Sequence, residues 1–299
     1  MSTAVATEPI EIPEEVLRQL KRTSAGLNML PAVAMQALEI ARDPHCSISE
    51  FARVVEKDVK LAADMLSLAN SSAFAGTSQL SSLHQSIVRL GLQKAKNLIY
   101  SSSVTALMKK MSAEDAAHRE GLWRHSFHTA ILALHFNHSC GVGFQGEEFT
   151  AGLLHDLGRT LLGSCLPDRC RELDLLDYDN SPRLLEQERL LIGTDHCELG
   201  AFFALKNKLP KPLIDAVRYH HQPYRARESL RLVALTAACD HMANHLQRYD
   251  SPEGYSPAEN EALLLLEEAG VIGAVKRFTA VHDVLMRNAQ HDAKAMMQG

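Results

Sequence analysis

The run Leu154-His155-Asp156-Leu157-Gly158-Arg159 sets an imidazole beside a carboxylate inside an apolar stretch. Histidine offers a neutral nitrogen and aspartate an anionic oxygen, a pairing that suits a borderline divalent metal. Neighbours on a regular helix point about 100° apart, so both reach one ion only beside a helix end or a distorted turn. Gly158 leaves room there for a second helix to come close. Alone, such a pair reads as a surface or capping feature. Its company argues otherwise. Trp123-Arg124-His125-Ser126 lies upstream, and Thr194-Asp195-His196, Tyr219-His220-His221 and Ala238-Cys239-Asp240 follow downstream. Each falls in or next to an apolar helical stretch. Buried imidazoles and carboxylates need partners, and one shared metal site would serve them all.

The elements that must position these residues read as helices. Residues 13–23, PEEVLRQLKRT, put Val16, Leu17 and Leu20 on one face behind a proline at the helix start. Ser47-Ile-Ser-Glu50 is a capping box opening FARVVEK. DVKLAADMLSLAN repeats apolar residues at helical spacing and stops at Asn70-Ser71-Ser72, and residues 82–90 end on Gly91 before a further helix to about 110. Ser256-Pro-Ala-Glu259 is expected to cap ENEALLLLEEAG, which closes on Gly270, and a last helix is expected over 272–289. No alternating strand with hairpin signals is found. The predicted class is all-α, an N-terminal helical domain followed by a helical bundle. Polar MSAEDAAHRE and turn-rich YDSPEGYSP mark boundaries. The expected division is an extension at 1–25, an N-terminal helical part at 26–115, a metal-site bundle at 116–250 and C-terminal helices at 251–299.

Composition narrows the function. Of 299 residues, 46% are hydrophobic, enough for a sizeable core, and the formal charge is −5, which argues against a general nucleic-acid or anionic-membrane surface. No basic recognition helix stands out, and no segment reaches the ~18 uncharged apolar residues of a membrane span. The N-terminus lacks the basic start and apolar run of a signal peptide. Six cysteines form no Cys-x-x-Cys pair, so free thiols in a reducing, cytoplasmic setting are expected.

The order of these motifs resembles the HD superfamily of metal-dependent phosphohydrolases, and the chain as a whole resembles its HDOD branch, the HD-related output domain of bacterial signalling proteins. Leu30-Pro31, Asp43-Pro44 before SISEFARVVEKD, LAADMLSLANSSAFA and SSLHQSIVRLGLQKAKNLI match that family's opening, while AGLLHDLGR, GTDHCELGAFFALKNKLP and VRYHHQP match its HD part. Coverage runs over roughly residues 26–245. The resemblance implies metal ligation by His125, His155, Asp156, His196, His220, His221 and Asp240, with Asp156 as a bridge between two ions of Fe, Mn or Zn. In active relatives such a pair of ions activates water toward a phosphorus centre. Two departures stand out. Arg159 replaces the family's lysine, and Gln222-Pro223 follows the double histidine in place of the Glu and Gly-Tyr-Pro signature of cyclic-di-GMP phosphodiesterases. Gly254-Tyr255, far beyond, is read as coincidence.

The expected function is therefore a signalling or regulatory protein with a metal-binding pocket. Its implied partners are another signalling protein and a small phosphorylated ligand, not nucleic acid or membrane. The retained ligand set keeps an alternative: an active metal-dependent phosphohydrolase acting on a nucleotide or phosphoester. The remaining candidates take plainer readings. His128, His135 and His138 read as surface or core histidines without a carboxylate partner, and His118, His241 and His245 as solvated. Glu186 and Glu188 read as a solvated helix face, and Cys165 and Cys197 as small core hydrophobes.

Overall fold

The computed structural model describes residues 9–24, 32–41, 43, 45–70, 80–108, 116–173 and 182–298. Among them all regular structure is helical and no strand occurs. The Leu30-Pro31 step, Pro44, the Ser71-Ser72 stop and the boundary near residue 115 lie outside the described residues. No helix among the described residues is long and apolar enough to cross a membrane.

Helix starts follow local signals. Ser47 Oγ accepts the Glu50 N–H at 3.1 Å, and α3 (Ile48–Val55) begins there. Ser82 Oγ accepts the Gln85 N–H at 3.2 Å to open α5 (Leu83–Leu90), which ends on Gly91 at φ 83°. These helices pack with α2 (Ala32–Ile40), α4 (Val59–Asn70) and α6 (Leu92–Met108) into the N-terminal set. Asn70 pins the next segment by bonding both the N–H and the C=O of Leu80, at 2.8 and 2.9 Å. The first helix, α1 (Glu14–Ser24), packs away from this set, against α9 (Leu157–Cys165).

The second set is organised around α7 (Ala116–Cys140), a long helix that contacts α8 (Glu147–Leu154), α14 (Leu230–Tyr249) and α16 (Ala274–Gln298). α6 packs on α8 and so joins the two sets. After α10 (Pro167–Glu172) and α11 (Pro182–Ile192), α12 (His196–Lys206) lies on α9 and against α13 (Lys211–Tyr219). Arg218 on α13 makes a two-pronged bond to Glu198 on α12, Nε to Oε1 at 2.9 Å and Nη2 to Oε2 at 3.0 Å. That fork sets the two helices on which His196 and His220 sit.

The chain's end differs from expectation in two ways. Ser256 makes no capping bond. Pro257–Glu259 form a single 3-10 turn, and the helix proper is α15 (Ala262–Glu268). A 3-10 turn satisfies its own first groups through i to i+3 bonds, and the Glu259 N–H goes to the Ser256 carbonyl at 3.1 Å. The last helix runs past 289 to Gln298, because its inner face stays apolar: Phe278, Met286, Ala289 and Ala293 are all buried. Phe278 stacks on Phe136 of α7 with ring centroids 5.0 Å apart, and His135 Nε2 meets Asp292 Oδ2 at 3.0 Å.

Candidate metal centre

His155 and Asp156 occupy the break between α8, which stops at Leu154, and α9, which starts at Leu157. Asp156, at φ −96° and ψ 21°, is off the helical path. The break removes the divergence of about 100° between neighbours on a regular helix and lets both side chains face one pocket. Gly158 then fixes how near α12 lies. A Cβ there would stand 1.7 Å from the His196 carbonyl oxygen, and a Cβ on Gly200 2.9 Å from the Gly158 nitrogen. Glycine at both positions lets the first turn of α12 rest on α9, which delivers His196 to Asp156. Asp195 starts that turn by accepting the Glu198 N–H at 2.8 Å, and Arg189 Nε holds the same carboxylate at 2.7 Å. His220 caps the C-terminus of α13, His125 comes from α7 and Asp240 from the middle of α14.

The seven residues singled out in the sequence come together. Asp156 stands at their centre and turns its two oxygens to opposite groups. Oδ2 lies 3.7 Å from His125 Nε2 and 3.5 Å from His155 Nε2. Oδ1 lies 3.4 Å from His196 Nε2 and 3.5 Å from His220 Nε2. Asp240 Oδ1 completes the first group, 3.0 Å from His125 Nε2 and 3.6 Å from His155 Nε2. His221 stands behind the second, its ring 4.2 Å from that of His220 and 5.1 Å from that of His196. Arg159 Nε, 3.2 Å from Asp156 Oδ1, brings the nearest permanent positive charge.

The outer hydrogen bonds decide what the rings present inward. His155 Nδ1 is 2.7 Å from the Gly152 carbonyl and His220 Nδ1 is 3.0 Å from the Val217 carbonyl. A carbonyl only accepts, so each Nδ1 carries the proton. His196 Nδ1 lies 2.8 Å from Glu188 Oε2, and the same oxygen accepts the His196 backbone N–H at 2.7 Å. Rings held this way by Nδ1 turn Nε2 into the pocket, where it offers a lone pair to a cation whenever no proton occupies it. His196 Nε2 and His220 Nε2 then face each other at 3.4 Å, which is repulsive unless a proton or a cation lies between them. The proton is disfavoured at His220: burial first, then the neighbouring His155 and His196, hold its pKa below the ordinary value despite Asp156.

Charges follow the same geometry. Burial works to raise the Asp156 pKa, but Arg159 and His155, with His220 and His196, hold it well below the usual carboxylate range. At Asp240 burial is outweighed by His125 and His155, and at Glu188 by His196 and Arg159, so both are also lowered. Burial opposes a charge on His155 too, yet Asp156 and Asp240 raise its pKa. His221 is pushed well down, by burial and then by His220 and His196, and its buried Nε2 has no hydrogen-bond partner. The donor set of inward imidazole nitrogens around two ionised carboxylates fits divalent ions. His125, His155, Asp240 and Asp156 Oδ2 could hold one, and Asp156 Oδ1, His196, His220 and His221 a second.

Several plainer readings need correction. Glu188 is no solvated helix face: it is fully buried and orients His196. Leu184 and Leu185, four and three residues earlier and also buried, put Glu188 on the apolar face of α11, a signal that was present in the sequence. Glu186 is exposed, as expected. Cys197 is buried, but its Sγ lies 3.4 Å from His196 Nε2 and 4.0 Å from His220 Nδ1, inside the donor cluster. Burial, then Asp195, Glu188 and Asp156, keep that thiol protonated by raising its pKa well above the ordinary value. His135 does have a carboxylate partner, Asp292, supplied by a helix far away in sequence. His241 and His245 are half-buried around Tyr255, whose hydroxyl is 3.1 Å from His241 Nδ1. His118 is half-buried as well.

Comparison with known proteins adds the following. The sequence model of the HDOD domain matches residues 27–223. An uncharacterized protein of Treponema pallidum (strain Nichols) is 26% identical over 248 residues, covering 81% of this chain and 47% of its own length, so the chain spans about half of that curated relative. An HDOD domain protein of unknown function from Geobacter sulfurreducens superposes with a TM-score of 0.68 at 21% identity, over 93% of this chain and 98% of that one. A provisionally named phosphohydrolase from Shewanella amazonensis SB2B gives 0.67 at 21% identity over 95% and 100%. A provisionally named signal transduction protein from Marinobacter aquaeolei VT8 gives 0.60 at 20% identity over 96% and 65%. At such identities these likenesses are likenesses of fold.

Proposed function

We propose, from the premise that this chain belongs to the HDOD domain family, that it is a signalling protein whose buried His/Asp pocket holds two divalent ions as a structural or sensory element. The observation that carries this reading is the orientation of Asp156, one oxygen toward His125 and His155 and the other toward His196 and His220, within a set of rings whose Nε2 atoms all face inward. His125, His155, Asp156, His196, His220, His221 and Asp240 are the proposed ligands. When bound, the ions would supply Lewis acidity and fixed positive charge. Glu188 and the carbonyls of Gly152 and Val217 keep the rings in the ligating tautomer, and Arg159 offsets the charge on Asp156.

A sensory role is favoured over turnover because the donor set is shut away from solvent: His155 and His196 are 0% exposed, His220 2% and Asp156 3%. A phosphoester would have to reach atoms that water scarcely touches. A change at the pocket has a packed route outward instead. His155 sits at the end of α8, α8 packs on α6, and α6 belongs to the N-terminal helices, the surface proposed to meet a signalling partner. The second reading, a metal-dependent phosphohydrolase, is favoured by the retained set of His and Asp donors.

The test is elemental analysis of the purified protein with thermal melts with and without chelator. A ligand that binds only the folded state stabilises it by about 2.7 kcal/mol at a hundred times its Kd. Asp156→Ala is expected to lose metal and to lose the chelator sensitivity of the Tm, while His138→Ala, an exposed position outside the pocket, leaves both intact. Absence of metal and of chelator sensitivity in the parent protein would refute the metal reading. Phosphoester turnover with Mn²⁺ or Fe²⁺ that vanishes in Asp156→Ala would establish the enzyme.

A further inference from the structure

The two halves of the pocket are not chemically alike. Around Asp156 Oδ2 the donors are two imidazoles and a carboxylate, His125, His155 and Asp240. Around Asp156 Oδ1 they are three imidazoles, His196, His220 and His221, and beside them a thiol. The potential donor atoms of His196, Cys197, His220 and His221 all lie within 4.8 Å of one another. Within that group His196 Nε2 lies 3.4 Å from both Cys197 Sγ and His220 Nε2, within the roughly 3.3–3.8 Å that separates donors sharing one ion at about 2.0–2.3 Å. Cys197 is 3% exposed and sits on the first turn of α12, which rests directly on α9 because Gly158 and Gly200 carry no Cβ at that crossing. The buried Nε2 of His221, with no hydrogen-bond partner, is an independent sign that this half is built to hold something.

We propose that Cys197 is a direct metal ligand, and that it turns the His196–His220–His221 half into a zinc-type nitrogen–sulfur subsite distinct from the harder nitrogen–oxygen subsite of His125, His155 and Asp240. The proposal rests on the metal reading above. Thiolate and imidazole favour zinc over manganese, whereas carboxylate-rich sets accept manganese, so the centre is a mixed one in which zinc fills the Cys197 half. On coordination the Cys197 S–H bond breaks, its electron pair goes to the cation, and the proton leaves to solvent, so one proton is released for each ion bound there.

Cobalt(II) titration of metal-stripped full-length protein tests this. Cobalt stands in for zinc, gives visible d–d bands in any nitrogen or oxygen site, and adds a near-ultraviolet charge-transfer band only when a thiolate is bound. Both are expected in the parent and in Cys239→Ser, which removes the other buried thiol flanking a pocket residue. Cys197→Ser is expected to keep the d–d bands, lose the charge-transfer band, and weaken zinc binding by more than the roughly 10–100-fold typical of losing an outer-shell partner, while manganese binding changes little. Visible bands without a charge-transfer band in the parent overturn the Cys197 proposal and leave the metal reading standing: Cys197 would then only donate its S–H to His196. No cobalt bands at all overturn both. Should Cys197→Ser fail to fold, the parent spectrum, with its persistence in Cys239→Ser, decides.

Discussion

Gly158→Ala is the perturbation whose sign the structure fixes most firmly. Inside a helix this exchange ordinarily stabilises by about 0.5–1 kcal/mol, because alanine gives up less backbone entropy than glycine. Gly158 lies in α9, where that expectation applies. The added Cβ, however, would stand 1.7 Å from the His196 carbonyl oxygen and 2.5 Å from its carbon. Since carbon and oxygen approach to roughly 3.3 Å at closest, α12 has to withdraw by about 1.5 Å. That movement parts His196 from Asp156 Oδ1, now 3.4 Å away, and strains the buried Glu188 pair. Overpacking of this kind costs about 1–3 kcal/mol, sometimes more. With the weakened polar contacts added, the net expectation is a loss of about 2 kcal/mol or more. For a body of this size that lowers the Tm by roughly 4–8 °C. Thermal and urea melts followed by far-ultraviolet circular dichroism measure it, with metal content taken on the same samples. A Tm equal to or above the parent's would refute the claim that backbone contact at Gly158 sets the position of α12.

Three further expectations follow from the same contacts. Glu188→Gln keeps the shape but removes the charge that holds His196 Nδ1–H, so zinc affinity should fall about 10–100-fold in a competition titration with the helical spectrum retained; unchanged affinity would remove Glu188 from the site. Phe278→Ala empties a fully buried position stacked on Phe136 and should cost about 3–5 kcal/mol, read from the urea midpoint; a cost under about 1 kcal/mol would mean α16 adds little to the core. His128, buried and pushed down to about 4 by that burial against the opposing effect of the Arg124 carbonyl, folds in its neutral form. Its contribution is therefore whole above the unfolded value near 6.5 and drains away as pH falls toward 4, by at most about 3 kcal/mol. His128→Gln should flatten the stability profile across that window, and an unaltered acid limb would contradict it.

The helical class, the main helix starts and the identity of the seven pocket residues were legible in the sequence, because each is a local signal. Ser47 and Ser82 cap where short polar side chains can reach the next turn, and histidines and aspartates inside apolar runs advertise that they need partners. The pairing within the pocket was not legible. That Asp156 splits its oxygens between two groups of rings depends on the break after α8 and on the contact of α12 with α9. Both are long-range facts that the run His155-Asp156 does not contain. Glu188 was passed over for a related reason: burial is a property of a face against its neighbours, and a Glu on an amphipathic helix looks the same in sequence whether that face meets water or a histidine. Cys197 was read as buried, and it is, but which side chains would surround its thiol depended on α13 bringing His220 beside it. Asp292 shows the limit most simply. It sits 157 residues from His135 and reaches it only because α16 folds back along α7, and that return is driven by the apolar face carrying Phe278 and Met286 rather than by any motif near either partner.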